Sequence, residues 1–305
     1  MRSLVIGASG QVGAQLLALA SGEESCTGTY CHHPLPGLVS LDLRDGLAVR
    51  KIIGAVRPEV CYVPGALTSV DYAETHAGEC RQTNAGGVSH VARAMAEIGG
   101  VLVFFSTEHV FGESSRAWTE DDPPSPQSVY AKSKAEAEKI VQEILPNHHL
   151  ILRTSWVFGP DPQKKNFLCR VHRTLKSKER LVVPSDQQGQ PTYGPDLART
   201  ARELVRRGAR GTYHVVGPQC LSRLEWAKTI AKALHLPAEL IEGRPTTGLG
   251  FAAPRPLQIQ LDRTKLLSFF GQDPIRPASA GVASQDLMQE YELAAGGIEP
   301  PTRGL

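Results

Sequence analysis

The chain has 305 residues, enough for one large domain or two smaller ones with a sizeable core. Its 33 Lys and Arg nearly balance its 31 Asp and Glu, leaving a formal net charge of +2, so no global field points to nucleic acid or a membrane surface. Six cysteines without a CxxC pair suit a reducing cytoplasm, and no apolar run approaches the ~18–20 residues that span a bilayer.

Short apolar runs alternate with helical stretches through the first half, the pattern of a parallel sheet wrapped by helices. Leu4–Ile6 is expected as a buried strand with no leader before it, then Gln11–Ala20 as a helix and Thr27–Tyr30 as a second strand. Val60–Val63 and Val101–Ser106 follow as strands around a helical Ala85–Ile98, then Val129–Ile144 as a helix and Leu150–Val157 as a strand. Beyond Gly159 a polar loop leads to a helix over Asn166–Leu175, a strand over Leu181–Val183 and a helix over Pro195–Arg207. Gly211–Val216 reads as a strand and Ser222–Leu234 as a helix, while the Pro/Gly/Thr-rich Pro237–Arg255 reads as loop. The basic cluster of 199–210, broken by Glu203, has the spacing of a solvated helix face. The tail from Ala294 lacks periodicity and is expected to be disordered.

Gly7-Ala-Ser9-Gly10-Gln11-Val12-Gly13 follows the first strand and opens a helix, the context of the dinucleotide fingerprint. Glycines allow a tight turn and close approach of a pyrophosphate, and the helix N-terminus offers it free N–H groups. The fold expected is therefore α/β, a doubly wound parallel sheet of the Rossmann type, with a smaller C-terminal α/β substrate-binding region. Residues 1–159, with contributions from about 181–220, would form the dinucleotide-binding core, 160–293 mainly the substrate region, and 294–305 the tail. The second strand ends Tyr30-Cys31-His32-His33 without an acid for the ribose hydroxyls. His32 and His33 can instead donate to a 2′-phosphate, which favours NADP(H) over NAD(H). Asp42, with Leu43 after it, is positioned to accept from an adenine amino group. No metal site is expected, because neither His32-His33 nor His148-His149 has a Cys or carboxylate partner at ligand spacing.

Tyr130 and Lys134 stand four apart on a helix and share a face. An ammonium there is expected to lower the phenol's pKa so that Tyr130 can trade a proton near neutral pH. The strand Val101-Leu-Val-Phe-Phe-Ser106-Thr107-Glu108-His109 ends in polar groups at the carboxyl edge, where ligands bind, so Thr107 can hydrogen-bond a substrate oxygen while Tyr130 supplies its proton. Arg153, inside a strand, is expected to have a carboxylate partner and a structural role.

These segments, in this order, resemble the extended short-chain dehydrogenase/reductases. More narrowly, the chain is similar to the dTDP-4-dehydrorhamnose reductase family and its relative, the regulatory beta subunit of methionine adenosyltransferase. The resemblance spans Met1 to about Gly271. It includes the glycine loop, Ala66-Leu-Thr68-Ser-Val70-Asp71-Tyr-Ala-Glu74, Thr83-Asn84, the Ser106–Gly112 segment and Tyr130 with Lys134. Beyond these it includes Leu152-Arg153-Thr-Ser-Trp156-Val-Phe-Gly159, Lys165-Asn166-Phe167, 186–192, 211–215 and Arg255-Pro256.

The resemblance implies that Thr107, Tyr130 and Lys134 are catalytic, with Lys134 also holding the nicotinamide ribose. It implies that Thr68, Val70 and Trp156 line a sugar pocket, together with Glu108 and His109, and that Ala66 and Asn84 fall in loops near the cofactor. The implied activity is NAD(P)H-dependent reduction of a nucleotide-linked 4-keto-6-deoxysugar, dTDP-4-dehydrorhamnose to dTDP-rhamnose. The alternative is a non-catalytic NADP-binding regulatory subunit. A sugar epimerase or dehydratase would share Tyr and Lys, but the Ala66–Glu74, Trp156 and 186–192 motifs speak against it.

Two departures stand out. Reductases of this family usually read Ser-Thr-Asp-Tyr where this chain has Ser106-Thr107-Glu108-His109, which leaves the identity of the sugar open. Gln15 stands where a metal-bridged dimer would use a Glu, and a neutral amide is a poor Mg²⁺ ligand, so a homodimer here would need another basis.

Overall fold

The computed structural model describes residues 1–20, 25–284 and 287; the tail expected to be disordered lies outside them. The first half builds β1 (Ser3–Val5), α1 (Gln11–Ala18), β2 (Cys26–Tyr30), β3 (Val39–Ser40), α2 (Gly46–Val56) and β4 (Val60–Val63). Then come α3 (Val70–Thr75), α4 (Ala77–Arg81), α5 (Gly87–Ile98), β5 (Val101–Thr107), α6 (Val129–Ile144), β6 (His149–Thr154) and β7 (Val157–Phe158). The second half adds α7 (Phe167–Lys176), β8 (Leu181–Pro184), β9 (Gln188–Gly189), β10 (Thr192–Tyr193), α8 (Gly194–Arg206) and β11 (Gly211–His214). After these stand β12 (Leu221–Ser222), α9 (Arg223–Ala233), β13 (Ile241–Arg244), α10 (Thr264–Phe270) and α11 (Ala278–Val282).

A seven-stranded parallel sheet runs in the order β11-β6-β5-β4-β1-β2-β3, the doubly wound α/β arrangement expected. Every residue of β5 is buried, because apolar clusters cover both faces of the sheet. One cluster packs Val49, Ile53, Val91 and Met95 of α2 and α5 against it, and the other packs Leu197, Ala201 and Leu204 of α8. A third core, around Trp226, Phe158 and Leu175, belongs to the second half.

Three elements differ from the sequence reading. The strand expected over Leu150–Val157 breaks after Thr154, because Trp156 takes φ +41° and turns out of the sheet; β7 then pairs with β10. Ile241–Arg244, expected as loop, forms β13 in parallel register with β8, where Ile241 joins the core around Trp226. Residues 181–184 thus belong to this small sheet and not to the main one. The helix expected from Ala85 begins at Gly87, preceded by a π-helical turn over Gln82–Gly86.

Among the described residues no helix is long and apolar enough to cross a membrane.

Candidate active site

At the glycine loop, the sequence dictates a backbone that side chains would block. Gly7 has φ +91°, and a Cβ there would stand 2.7 Å from the Gly65 Cα. A Cβ on Gly13 would fall 2.1 Å from the Gly7 carbonyl oxygen. Gly10 caps α1 in an extended conformation with no side chain bonded to the first-turn N–H groups, and no acid lies in that turn. Ser9 is buried and Val12 packs on the core, while Gln11 holds its buried Nε2 without a partner. A bare N-terminus, a backbone stripped of Cβ atoms and an unpaired buried donor fit a dinucleotide diphosphate.

Around this loop, His32 and His33 are exposed past the end of β2. Lys165 reaches across from the second half to put its Nζ 3.2 Å from His33 Nε2, and Gln163 Nε2 donates to the Ser9 carbonyl at 3.1 Å. Asp42 lies two residues beyond β3, chelated by Arg44 through contacts of 2.6 and 3.0 Å, and that guanidinium holds its carboxyl below the usual range. Its oxygens therefore already serve a partner, which the sequence reading missed. Leu43 is buried, and its carbonyl accepts from His90.

Asn84 is 1 % exposed and stands in the π-helical turn rather than a loop. Its Oδ1 accepts from Leu67 N at 2.8 Å and its Nδ2 donates to Leu67 O and Ser133 Oγ, so it clamps the segment with Ala66 onto α6. Thr68 is exposed ahead of α3, whereas Val70 packs in the cluster that contains Tyr130.

Thr107 is the last residue of β5, and Tyr130 and Lys134 come from the first turns of α6. Ser128 caps this helix by accepting from Ala131 N at 3.2 Å, and the buried positions 130, 134, 137, 138 and 141 form one face. The expectation that Lys134 lowers the phenol needs correcting. Burial pushes Tyr130 up to about 12, opposed by the Thr107 hydroxyl. The Lys134 Nζ instead donates to the Phe105 carbonyl at 2.6 Å and lies 4.0 Å from the Phe104 ring centroid. Burial brings its own pKa down to about 7, against the pull of Glu138. Spacing puts both groups on one face, but desolvation, not the pairing, sets the pKa of each. Arg153 has the carboxylate partner expected of it, Glu138, at 2.8 Å with both side chains buried.

Next to Thr107, Glu108 and His109 begin a 3₁₀ turn. Burial raises the Glu108 carboxyl to about 7, while the Ser155 hydroxyl and the Arg223 guanidinium act to lower it. Burial, helped by Arg255 and Arg223, brings His109 down to about 4, so its imidazole is neutral. Four buried atoms without a hydrogen-bond partner gather at the carboxyl ends of β5 and β6: Ser106 Oγ, Glu108 Oε2, His109 Nδ1 and Thr154 Oγ1. Native interiors leave few such atoms, and a group of them marks a ligand site.

A cleft of about 320 Å³ opens beside them, with Glu108, His109 and Trp156 on one side and Lys165, Arg170, Arg223 and Arg255 around it. Arg223 stacks 3.4 Å from the Trp156 ring centroid, and Gly189 gives the indole room. Arg255 pairs with Asp71 of α3 at 2.6 Å. Arg170 and Arg223 escaped the sequence reading, since nothing in their spacing separates them from surface helix residues. A larger hollow of about 520 Å³ lies by α8 and α10, among Arg199, Arg206 and Phe270. Unlike the smaller cleft, it is lined by none of Glu108, His109 and Trp156, the residues that follow Thr107 and the end of β6.

With this geometry in hand, residues 1–285 match the family model described as RmlD substrate binding domain. The chain belongs to the dTDP-4-dehydrorhamnose reductase family. It is 33 % identical over 284 residues to a dTDP-4-dehydrorhamnose reductase of Streptomyces griseus, covering 90 % of each chain. Among solved structures, a family member from Clostridium acetobutylicum superposes with a TM-score of 0.85 at 28 % identity, covering 97 % of this chain and 100 % of that one. Another, from Bacillus anthracis and described in complex with NADP, gives 0.83 at 28 % identity, covering 96 % and 99 %.

Proposed function

We propose that this protein is an NADPH-dependent reductase of a nucleotide-linked 4-keto-6-deoxysugar, converting dTDP-4-dehydrorhamnose to dTDP-rhamnose. The observation that carries the reading is Thr107 at the carboxyl end of β5 meeting Tyr130 on the buried face of α6 that also holds Lys134, with the next residues, Glu108 and His109, lining a cation-rich cleft. The relatives described above carry reductase names, which favours catalysis over the regulatory-subunit alternative.

In this reading Gly7, Gly10, Gly13 and the start of α1 hold the dinucleotide diphosphate, and His33 with Lys165 holds the 2′-phosphate of NADP. When bound in reduced form, the dinucleotide supplies a hydride to the sugar carbonyl. Thr107 orients the ketone oxygen by donating its hydroxyl, and Tyr130 gives that oxygen its proton. Lys134, buried and held at the Phe105 carbonyl, keeps the floor of the site in place and is available to a ribose hydroxyl. Arg170, Arg223 and Arg255 suit the diphosphate of the sugar nucleotide, and the Trp156 indole offers an apolar wall to the sugar.

We assign residues 1–159 mainly to the dinucleotide and 160–293 mainly to the sugar nucleotide. The clustering of Arg170, Arg223 and Arg255 in the cleft supports that division. A cytoplasmic location belongs to the same proposal, supported by six free thiols.

The test is incubation with NADPH and dTDP-4-dehydrorhamnose, followed at the reduced-nicotinamide absorbance. Loss of absorbance with formation of dTDP-rhamnose is expected, and Tyr130→Phe should slow kcat by about 10²–10⁴-fold. An unchanged absorbance would remove the reading.

A further inference from the structure

We propose that Glu108 is a general base toward the carbon beside the ketone, so that this protein also catalyses proton exchange at that carbon. The inference rests on the reading of the cleft as a keto-sugar site.

Two buried carboxylates of this molecule make the contrast. Glu138 is 2 % exposed and Glu108 is 3 % exposed. Glu138 is fully served, since Arg153 donates to it from both Nε and Nη2. Glu108 has no guanidinium bonded to it: the Ser155 hydroxyl serves the carboxyl, but Oε2 is buried without a hydrogen bond, and the His109 Nε2 stands 3.9 Å from Oε1, beyond hydrogen-bond distance. Leaving a buried carboxyl oxygen unserved costs stability, which a purely structural role does not explain. That carboxyl lines the cleft and directly follows Thr107, which places it beside the groups that receive the ketone oxygen. Burial raises its pKa to about 7, the range in which a carboxylate serves as a base at neutral pH.

A ketone oxygen held by the Thr107 hydroxyl and the Tyr130 phenol acidifies the C–H bonds on both flanking carbons. Glu108 Oε2 removes one of these protons. The C–H electron pair becomes a C=C bond, and the carbonyl π pair moves onto oxygen, where the two hydroxyls stabilise it. Return of a proton from the Glu108 carboxyl re-forms the C–H bond, so nothing is oxidised or reduced. Glu108 itself lines the cleft, which gives the carboxyl a route to exchange its proton with solvent.

The enzyme is incubated with dTDP-4-dehydrorhamnose and oxidised NADP in D₂O, where no reduction can occur, and the C3 and C5 positions are followed by proton NMR and mass. Loss of one flanking proton signal, at about 100-fold or more above buffer alone, is expected. Glu108→Gln, close in shape, should lower that rate at least about tenfold while circular dichroism and nucleotide binding report an intact fold. Exchange no faster than buffer, in a preparation that oxidises NADPH normally, overturns the inference and leaves the reductase reading standing. Undiminished exchange in Glu108→Gln also overturns it, by assigning the base elsewhere. A preparation active in neither assay removes the keto-sugar reading and this inference together.

Discussion

Burial sets the charge state of Glu108, and the consequence for stability has a definite sign. Its folded pKa, about 7, lies above the ordinary 4.5, so the folded chain binds the extra proton between those values. The stability this contributes is present in full below the unfolded pKa and is lost as pH rises through about 7. Glu108→Gln, which stays uncharged, should therefore gain on the order of 2–4 kcal/mol over the parent near pH 8 and only about 1 kcal/mol near pH 5. Urea unfolding at the two pH values measures this, and equal gains at both would show that the carboxyl is not held neutral. The Lys165–His33 contact makes a separate claim about the dinucleotide. Because Lys165 is an exposed cation, Lys165→Gln should weaken NADPH binding by roughly 3–10-fold and leave NADH binding unchanged. Fluorescence titration with each dinucleotide decides it; equal losses for both would move Lys165 away from the 2′-phosphate.

At the scale of elements, α1 depends on a turn that excludes side chains. Gly13→Ala would drive a Cβ to 2.1 Å from the Gly7 carbonyl, where backbone and not a flexible side chain stands in the way. The turn must open, so a loss of about 1–3 kcal/mol in unfolding free energy is expected together with loss of NADPH binding. Denaturant melts and a binding titration check the two effects separately. This turn was legible in the sequence because three glycines between a strand and a helix leave few other conformations. The Tyr130–Lys134 face was legible for the same kind of reason, since helical spacing alone aligns them. The break in the strand at Trp156 was not. A tryptophan at φ +41° is set by its tertiary neighbours, Arg223 on one face and Gly189 beside it, and local propensity favours continuing the strand. β13 was missed likewise: Pro, Gly and Thr around it read as loop, and its pairing with β8 comes from residues some sixty positions away.

Taken as a whole, the molecule assembles one cleft from segments far apart in the chain. Glu108 and Trp156 come from the sheet's carboxyl edge, Arg170 from α7, Arg223 from the start of α9 and Arg255 from the strand-poor segment after β13. Arg170 and Arg223 are invisible in a linear reading, because nothing in their spacing separates them from surface helix residues, whereas Arg255 is legible only through the family resemblance. The ion pair between Asp71 and Arg255 joins the first half of the chain to the last of these segments, and Asp71 also accepts from Ala253 N at 3.0 Å. Asp71 belongs to the same helix as Val70, which packs beside Tyr130, so this one contact sets the catalytic residues against the cation-lined wall. Asp71 is 42 % exposed in its side chain, which limits what the pair contributes to folding. Its effect should appear in the position of Arg255. Asp71→Asn is expected to raise KM for the sugar nucleotide roughly 3–10-fold, with kcat at saturation and NADPH affinity nearly unchanged. Steady-state kinetics with each substrate varied in turn separates these quantities. A fall in kcat with KM unmoved would instead mean that the pair acts through Val70 and Tyr130 on the proton transfer itself.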